Sequence, residues 1–376
     1  MTTRRAKGCI AAILALLLLW MAAPVAAASG GPQVSAKAAL LMEATTGKVL
    51  YEKNAQEKLP MASTTKVMTA LLAVELGNLD EMVTTDASAY GVEGSSIYLR
   101  LEETISLRDL LYGLMLASGN DAAVAIAVHI GRGVEQFAAM MNQRAKQLGA
   151  VNTNFVTPNG LPNEEHYTTA YDLALIASAA MQNEAFREIV STQYYRAETG
   201  AVPRTFKNKN KILWNYEGGN GVKTGYTKAA GRCLVFAAER DGMQLVGVVL
   251  ACPNMFEDAA ALLDYGMDNY EMSPLVSQGD RVANVFVERG MKNRLALLAP
   301  GDIMVPVEKD GGTRYRTRVV LADTICAPVQ KGETCGYVEV LEDNGALRTR
   351  FELVAEEAVD EATVRFYFEK LLRVIA

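Results

Sequence analysis

Three short motifs, in order along the chain, hold the groups that serine acyl transfer requires. They are Ser63-Thr64-Thr65-Lys66, Ser118-Gly119-Asn120 and Lys223-Thr224-Gly225. The first supplies a hydroxyl nucleophile and an amine to act as its base, the second a hydroxyl and an amide, and the third a cation. An SxxK pattern alone arises by chance about once or twice in such a chain, but the ordered set of three has a chance of roughly one percent or less.

Histidine and metal chemistry are not expected. The two histidines, His129 and His166, lack a nucleophile-elbow context. The cysteines that follow the N-terminal segment are Cys233, Cys252, Cys326 and Cys335. They lack CxxC and zinc-ligand spacing, so we predict no metal site and interpret them as small buried residues. A pair between Cys326 and Cys335 across a loop stays open.

The first motif is predicted to begin a helix. After Ser63, the apolar residues Val67, Leu71 and Val74 recur at helical spacing. Ser63 then lies at the helix N-terminus, and Lys66, three positions later, projects from the same face. This arrangement lets the amine reach the hydroxyl.

The other two motifs fall on elements that can face the same cleft. Ser118-Gly119-Asn120 interrupts two apolar helical stretches, 107–116 and 122–130, so it is predicted to be a loop held against the core. Lys223-Thr224-Gly225 lies on a predicted strand, 222–226, next to a hairpin formed by 233–238 and 245–251. A hairpin near 38–52 and helices at 169–181 and 259–270 complete the pattern. We predict an α+β fold with helices packed on an antiparallel sheet.

Both ends of the chain carry distinct segments. Basic residues before the apolar run 10–21, followed by Ala26-Ala27-Ala28, predict a secretory signal cut near Ala28. An uncleaved anchor is the alternative, but the apolar core is short for a membrane span. At the other end, Val364, Phe368, Leu371 and Ile375 form one stripe of a helix. We predict interfacial membrane binding by this helix, with docking on the protein's own β domain as the alternative.

Charge and strand spacing limit the remaining possibilities. The chain has 37 basic and 43 acidic residues, a net charge of −6, so nucleic acid is not an expected partner. From 281 to 354 the pattern predicts only short strands, including a turn at Asp343-Asn344-Gly345, and thus a small all-β domain without a catalytic constellation.

The sequence resembles a known family. The strings PMASTTKVMTA, LMLASGNDAA, HYTTAYDLALIA, NKNKILWN and GVKTGYTKAAG are similar to those of the penicillin-recognising serine peptidases. The resemblance is strongest to the D-alanyl-D-alanine carboxypeptidases among the low-molecular-mass penicillin-binding proteins, and it covers nearly the whole chain. It implies the transpeptidase fold shared with β-lactamases, with a signal peptide at 1–28, a catalytic domain at 29–273, a β-rich domain at 274–354 and an amphipathic helix at 355–376.

The resemblance also implies roles for the motif residues. Ser63 would attack the carbonyl between two terminal D-alanines, and Lys66 would take its proton. Ser118 would relay a proton to the leaving amine, and Asn120 would orient Lys66 and the substrate amide. The substrate-binding residues would be Lys223, Thr224, Gly225, Tyr226 and Lys209. Among these, the Tyr226 backbone N–H joins that of Ser63 in the oxyanion hole, while Lys223, Thr224 and Lys209 hold the terminal carboxylate.

The implied partners are peptidoglycan stem peptides ending in D-Ala-D-Ala, β-lactams and the outer face of the cytoplasmic membrane, and no cofactor is needed. Transpeptidase or endopeptidase activity differs only in acceptor and stays open. A class A β-lactamase would carry SDN and a loop glutamate, whereas Glu164 and Glu165 lie too close to the next helix start to be expected at the site. An inactive wall-binding module would be expected to have lost Ser63 or Lys66.

Overall fold

The computed structural model describes residues 31–312, 314–321, 325–343, 345 and 347–375. The chain divides into two units, 1–32 and 33–376. The predicted signal segment 1–28 lies outside the described residues, as does Asn344 of the predicted turn.

Regular elements account for most of the second unit. The helices are α1 (Lys66–Leu76), α2 (Leu107–Tyr112), α3 (Asn120–Gly131), α4 (Val134–Gln147), α5 (Ala170–Met181), α6 (Glu184–Ser191), α7 (Ile212–Asn215), α8 (Met255–Asn269) and α9 (Val364–Ile375). The strands up to residue 250 are β1 (Ala38–Glu43), β2 (Val49–Lys53), β3 (Met82–Thr84), β4 (Thr104–Ser106), β5 (Tyr194–Arg196), β6 (Thr205–Lys207), β7 (Gly219–Thr227), β8 (Gly231–Arg240) and β9 (Met243–Leu250). The later strands are β10 (Tyr270–Val276), β11 (Arg281–Glu288), β12 (Arg294–Leu298), β13 (Ile303–Glu308), β14 (Tyr315–Leu321), β15 (Ile325–Cys326), β16 (Thr334–Glu342) and β17 (Leu347–Ala355).

A five-stranded antiparallel sheet, ordered β2-β1-β9-β8-β7, organises the first domain. Both of its faces are covered, and the alternation along β1 shows how. Leu40 and Met42 belong to the core on the face where α1 and α5 pack, whereas Ala39 and Leu41 belong to the core under α8. Side chains with a period of two thus fill two separate apolar layers. The predicted α+β fold is confirmed.

The first motif begins with a tighter turn than predicted. Ala62–Thr65 is a 3₁₀ helix, and the α-helix starts only at Lys66. The hydroxyls of Thr64 and Thr65 donate to the carbonyl oxygens of Met61 and Ala62, at 2.6 and 2.8 Å. Such local side-chain bonds to the residue three positions back favour a 3₁₀ geometry at a helix start.

The second domain is all β, as predicted. Its main sheet has the order β14-β16-β17-β12-β11-β15, and β10 pairs with β13 in a separate two-stranded sheet. Val338 and Val340 on β16 pack with Leu297 and Leu353 in its core. The sequence pattern missed β12, and it missed β10 because Pro274 breaks the apolar alternation. In the structure the β10–β13 register shifts just after Pro274, where a residue without an N–H is tolerated.

The four described cysteines are free, so Cys326 and Cys335 are not bonded to each other. Cys326 is exposed, which corrects the expectation that all four are buried; it ends the two-residue strand β15 at the edge of the sheet. At the C-terminus, α9 forms where a helix was predicted, and the side chains of Leu371 and Ile375 lie outside the described part. No helix among the described residues is long and apolar enough to span a membrane.

Candidate active site

Ser63 and Lys66 meet at the start of α1. The Lys66 Nζ lies 2.9 Å from the Ser63 Oγ, and Ser63 is partly exposed while Lys66 is fully buried. The 3₁₀ turn causes this arrangement because residues three apart eclipse each other in that geometry. The hydroxyl therefore reaches solvent, and the amine approaches it from the protein interior.

Two further acceptors surround the Lys66 amine. It donates to the Asn120 Oδ1 and to the Asn159 backbone oxygen, each at 2.7 Å. Burial holds the pKa of Lys66 well below its ordinary value, and the charges of Lys223 and Lys209 lower it further, while Asp121 opposes them. A neutral amine has two N–H groups and one lone pair. In this neutral form Asn120 and Asn159 accept the two N–H groups and the lone pair faces the Ser63 hydroxyl, whereas the protonated amine donates its third N–H to the Ser63 Oγ.

The second motif sits where the chain changes from a π-helical turn, Gly113–Ala117, to α3. Ser118 at this point has φ of +66° and is buried. Asn120 is buried too, and its Nδ2 donates to the backbone carbonyl oxygen of Glu93 at 2.6 Å. This contact fixes the amide orientation, so that Oδ1 faces Lys66. The motif is thus held between the loop before α2 and the N-terminus of α1.

The third motif lies on β7 and passes directly over the 3₁₀ turn Ala62–Thr65 that carries Ser63, the nucleophile turn. A Cβ added at Gly225 would lie 3.1 Å from the Ser63 nitrogen, so any side chain there would push β7 and the turn apart by a few tenths of an ångström. Lys223 is buried on the same strand, and burial followed by the charge of Lys209 lowers its pKa to about 7. Thr224 is half-buried, and the side chain of Tyr226 is 64% exposed.

Lys209 reaches the site from the segment after β6. Its Nζ donates to the Ala117 oxygen at 2.8 Å, next to Ser118. The charges of Lys223 and Lys209 act on Lys66, and that of Lys209 acts on Lys223, so two cations close to the nucleophile favour an anion in the cleft. The structure therefore brings together the residues of all three motifs and Lys209.

Sequence reasoning missed two contributors on the loop before α5. Asn159 acts through its backbone oxygen, which no residue type signals. Gly160, with φ of +85°, packs so closely that a Cβ would lie 1.9 Å from the Ala62 oxygen. An Asn-Gly pair in a loop rich in turn residues was the only available hint.

His166 is not part of a Ser-His-Asp arrangement. Its Nε2 lies 2.8 Å from the Thr65 Oγ1, and its Nδ1 accepts from the Val156 N–H at 2.9 Å. Burial lowers its pKa to about 4, so it is neutral and ties the loop to the nucleophile turn. His129 instead faces Glu81 at 3.4 Å.

Among the described residues, neither the two loop glutamates nor a cluster of metal ligands indicates a second kind of catalytic chemistry. Glu164 and Glu165 are both exposed on the loop surface. Within the described ranges, no group of three or more His, Cys, Asp or Glu side chains could hold a metal ion.

Comparison with known proteins agrees with this geometry. Residues 25–254 match the family model described as D-alanyl-D-alanine carboxypeptidase, and residues 270–361 match the model of the penicillin-binding protein 5 C-terminal domain. The D-alanyl-D-alanine carboxypeptidase DacF of Bacillus subtilis is 34% identical over 93% of this chain and 94% of its own length.

Solved structures of penicillin-binding proteins are also similar to this chain. Penicillin-binding protein 5 of Haemophilus influenzae is 31% identical, with a TM-score of 0.68, over 88% of this chain and 99% of that chain. A peptidoglycan synthesis regulatory factor (PBP3) of Streptococcus pneumoniae is 26% identical, with a TM-score of 0.75, over 88% of this chain and 100% of that chain. The similarity therefore covers both domains.

Proposed function

This chain belongs to the D-alanyl-D-alanine carboxypeptidase family of serine peptidases, and we propose that it removes the terminal D-alanine from peptidoglycan stem peptides through an acyl-enzyme at Ser63. The observation that carries the residue assignment is the Lys66 amine, buried, depressed in pKa and 2.9 Å from the Ser63 hydroxyl. A general base must be neutral and within hydrogen-bond reach of the proton that it takes; Lys66 lies within that reach, and its lowered pKa favours the neutral form.

Acylation follows from this contact. The Ser63 oxygen attacks the carbonyl carbon between the two D-alanines while its proton passes to the Lys66 lone pair. The developing oxyanion is bound by the backbone N–H groups of Ser63 and Tyr226, a contribution of about 3 kcal/mol per donor. Asn120 keeps the amine oriented throughout.

The leaving group departs with a proton. Ser118, buried beside Asn120, relays the proton from Lys66 to the nitrogen of the terminal D-alanine as the C–N bond breaks. Water then attacks the ester carbonyl, Lys66 accepts the water's proton, and the Ser63 oxygen is released with a proton. The products are free D-alanine and a peptide shortened by one residue.

The terminal carboxylate of the substrate binds beside β7. Lys223 and Thr224 contact it directly, and Lys209 adds a point charge without the bidentate fork of an arginine. The carboxylate of a β-lactam occupies the same position. Gly225 contributes by its small size, which brings the strand to the nucleophile.

The protein works outside the cytoplasm, at the outer face of the cytoplasmic membrane. The N-terminal segment acts as a signal cut near Ala28, the catalytic domain extends to residue 273 and the β-rich domain to 354. The C-terminal helix then rests on the membrane surface. This part of the proposal is supported by four exposed apolar side chains of α9, Val364, Tyr367, Phe368 and Leu372.

Incubation with a diacyl-L-Lys-D-Ala-D-Ala peptide tests the activity, with D-alanine release as the readout. Adding an amine such as glycine to the same reaction scores transpeptidation, because an amide product would then replace part of the free acid. Loss of substrate without D-alanine release would contradict the carboxypeptidase assignment.

Penicillin labelling tests the nucleophile. Penicillin opens its ring on acylation and should add its full mass to a peptide that contains Ser63. Ser63→Ala should abolish the adduct while the protein stays folded. An adduct on another residue would show that the assignment of Ser63 is wrong.

A further inference from the structure

A buried carboxylate beside the second motif takes no part in the steps described so far. Asp121 follows Asn120 in the first turn of α3, where the helix dipole favours a negative charge. Its oxygens accept from four donors: the Ser96 hydroxyl at 2.6 Å and the N–H groups of Ile97, Leu99 and Ala122 at 3.0, 3.1 and 2.9 Å. A carboxylate only accepts hydrogen bonds, so it fits a position where every neighbour donates. An amide in its place would turn donors towards donors.

The loop between β3 and β4, which supplies three of these donors, contacts Asn120 in the opposite sense. The backbone oxygen of Ser95 accepts from the Asn120 N–H at 2.7 Å, and that of Glu93 accepts from the Asn120 Nδ2 at 2.6 Å. The other end of the amide, Oδ1, accepts from the Lys66 amine at 2.7 Å. Two consecutive residues of α3 are thus bound to residues 93–99 by complementary hydrogen bonds.

Packing leaves the Asn120 amide little room to turn. A Cβ added at Gly94, between the two acceptors, would lie 2.7 Å from the Asn120 Nδ2. Ile97 packs on the motif itself, since a Cβ added at Gly119 would lie 3.0 Å from the Ile97 Cγ2. The position of the loop relative to α3 therefore sets the orientation of the amide.

A second anchor keeps the later part of the loop in place. The Arg204 guanidinium, paired with Glu103, donates to the backbone oxygens of Ile97 and Tyr98 at 2.8 and 2.9 Å. These contacts lie after residues 93–95, which hold Asn120. Loss of the Asp121 carboxylate should therefore loosen the part of the loop that orients the amide and leave the rest attached.

We propose that Asp121 is a positioning residue for the general base: its carboxylate holds residues 93–99 on α3, and this loop turns the Asn120 amide so that Oδ1 faces Lys66. The inference rests on the proposed function because it concerns the acylation of Ser63. It assigns Asp121 no contact with the substrate.

The charge of Asp121 gives the proposal a readout in pH. Burial is the main cause that lowers the pKa of Lys66; the charges of Lys223 on β7 and Lys209 after β6 lower it further, and that of Asp121 raises it. An amine with a lower pKa stays neutral to a lower pH. Asp121→Asn should therefore move the acid limb of the acylation profile, where Lys66 loses its proton, to lower pH. A variant that only reduced the folded fraction would lower the rate equally at every pH.

The measurement is the second-order rate constant for acylation as a function of pH, with a neutral thioester that has no carboxylate for Lys223 to bind. We expect Asp121→Asn to lower the plateau by about 10- to 100-fold, the effect of a catalytic group misplaced by about 1 Å. In the Asn120→Ala background the same substitution should lower the plateau by less than about twofold, because the residue through which it acts is gone.

Two glycines of the β3–β4 loop test the contact without changing a charge. Gly94→Ala places a methyl group against the Asn120 Nδ2, the end of a side chain that can move, and should lower the plateau as Asp121→Asn does. Gly91 has φ of +71°, against +89° at Gly94, and no atom within 4 Å of an added Cβ. Gly91→Ala therefore carries the conformational cost alone and should keep the plateau.

Asp109 provides the control for loss of a buried carboxylate. It lies in the first turn of α2 and accepts from the Tyr195 hydroxyl at 2.7 Å and the Thr199 N–H at 2.8 Å. Asp109→Asn should lower the thermal stability by a comparable amount and leave both the plateau and the acid limb unchanged. Equal changes of the profile in Asp109→Asn and Asp121→Asn would overturn the proposal.

The double variant gives the sharpest contradiction. A loss from Asp121→Asn that persists at full size in Asn120→Ala would show that Asp121 does not act through the amide, and an unchanged plateau in Gly94→Ala would show that the loop does not orient it. If Asp121→Asn fails to fold, Ser96→Ala removes one donor to the carboxylate and enters the same cycle, with a smaller loss that should vanish in Asn120→Ala. No loss in Ser96→Ala, or one that remains, overturns the proposal. Failure of the proposed function is distinct, because the unmodified enzyme would then form no acyl-enzyme at Ser63.

Discussion

At the residue scale, Lys66 and Lys223 are both buried amines, but their substitutions should impair different steps. Lys66→Ala removes the base that takes the Ser63 proton, so acylation should fall by a factor of about 100 or more with every substrate. Lys223→Ala removes the partner of the substrate carboxylate, so its loss should be most severe for substrates that carry one. Acylation rates with benzylpenicillin and with a neutral thioester lacking the carboxylate measure this difference. Equal losses of Lys223→Ala on both substrates would contradict the division of roles.

The pKa of Lys223, lowered to about 7 by burial and Lys209, predicts a pH dependence. In the free enzyme this amine is protonated below pH 7 and increasingly neutral above it, so attraction for a carboxylate should weaken as the pH rises through 7. Deprotonation of Lys66 affects both kinds of substrate equally. The ratio of the second-order acylation rates, benzylpenicillin over the neutral thioester, should therefore fall with pH.

Arginine at this position provides the control for the pH effect. Lys223→Arg keeps its charge throughout the accessible range, so the rate ratio should become independent of pH even where the absolute rates are low. A ratio that still falls above pH 7 in this variant would assign the titration to another group.

At the element scale, the loop before α5 determines the geometry of the base because Asn159 supplies one acceptor of Lys66. Gly160→Ala would place a Cβ 1.9 Å from the Ala62 oxygen, so the loop must move and carry Asn159 with it. We expect destabilisation of about 2–4 kcal/mol from the backbone conformation and overpacking together, and a loss of acylation. Thermal unfolding and penicillin acylation of the folded variant measure the two effects.

A glycine with the same backbone angle isolates the contact from the strain. Gly279 has φ of +84° and no atom within 4 Å of an added Cβ, so Gly279→Ala carries only the conformational cost, about 1–2 kcal/mol. It should acylate at the normal rate. A similar loss of acylation in both variants would show that the close packing of Gly160 is not what positions Asn159.

The elements that carry the motifs could be predicted from sequence because their signals are local. The helical spacing after Ser63, the polar break at Ser118 and the β-branched run around Lys223 each specify an element within a few residues. The acceptors of Lys66 could not be predicted in the same way. Asn159 acts through its backbone, and the Asn120 amide is oriented by a contact with the Glu93 oxygen across 27 residues of sequence, so both depend on tertiary packing.

At the scale of the whole molecule, the two domains are joined by more than the covalent chain. Lys48, before β2, lies 3.5 Å from Glu342 of β16, and the Lys48 amine also approaches the rings of Tyr270 and Tyr315. Lys48 is buried, and burial is the main cause that lowers its pKa, so the contact is shielded from solvent. A shielded contact of this kind favours a fixed orientation of the domains.

The C-terminal helix gives the prediction that concerns the whole protein. Burying the apolar stripe that the sequence predicts for this helix, Val364, Phe368, Leu371 and Ile375, in a lipid surface would contribute several kcal/mol at roughly 25 cal/mol per Å², enough for reversible attachment. Deleting residues 363–376 should release the mature enzyme from vesicles and leave peptide hydrolysis in solution nearly unchanged. Co-sedimentation with vesicles and D-alanine release measure the two effects.

A point variant separates membrane binding from folding. Phe368 is 62% exposed, so Phe368→Glu should weaken vesicle binding without affecting the core, whereas Val151→Glu, at a position of the first domain that is 71% exposed, should leave vesicle binding unchanged. The alternative is that α9 docks on the protein's own β domain, since Phe366 and Tyr367 share a cavity with Phe286 and Met291 of that domain. In that case the truncated protein would lose thermal stability or still bind lipid, and either result would rule out the helix as the membrane anchor.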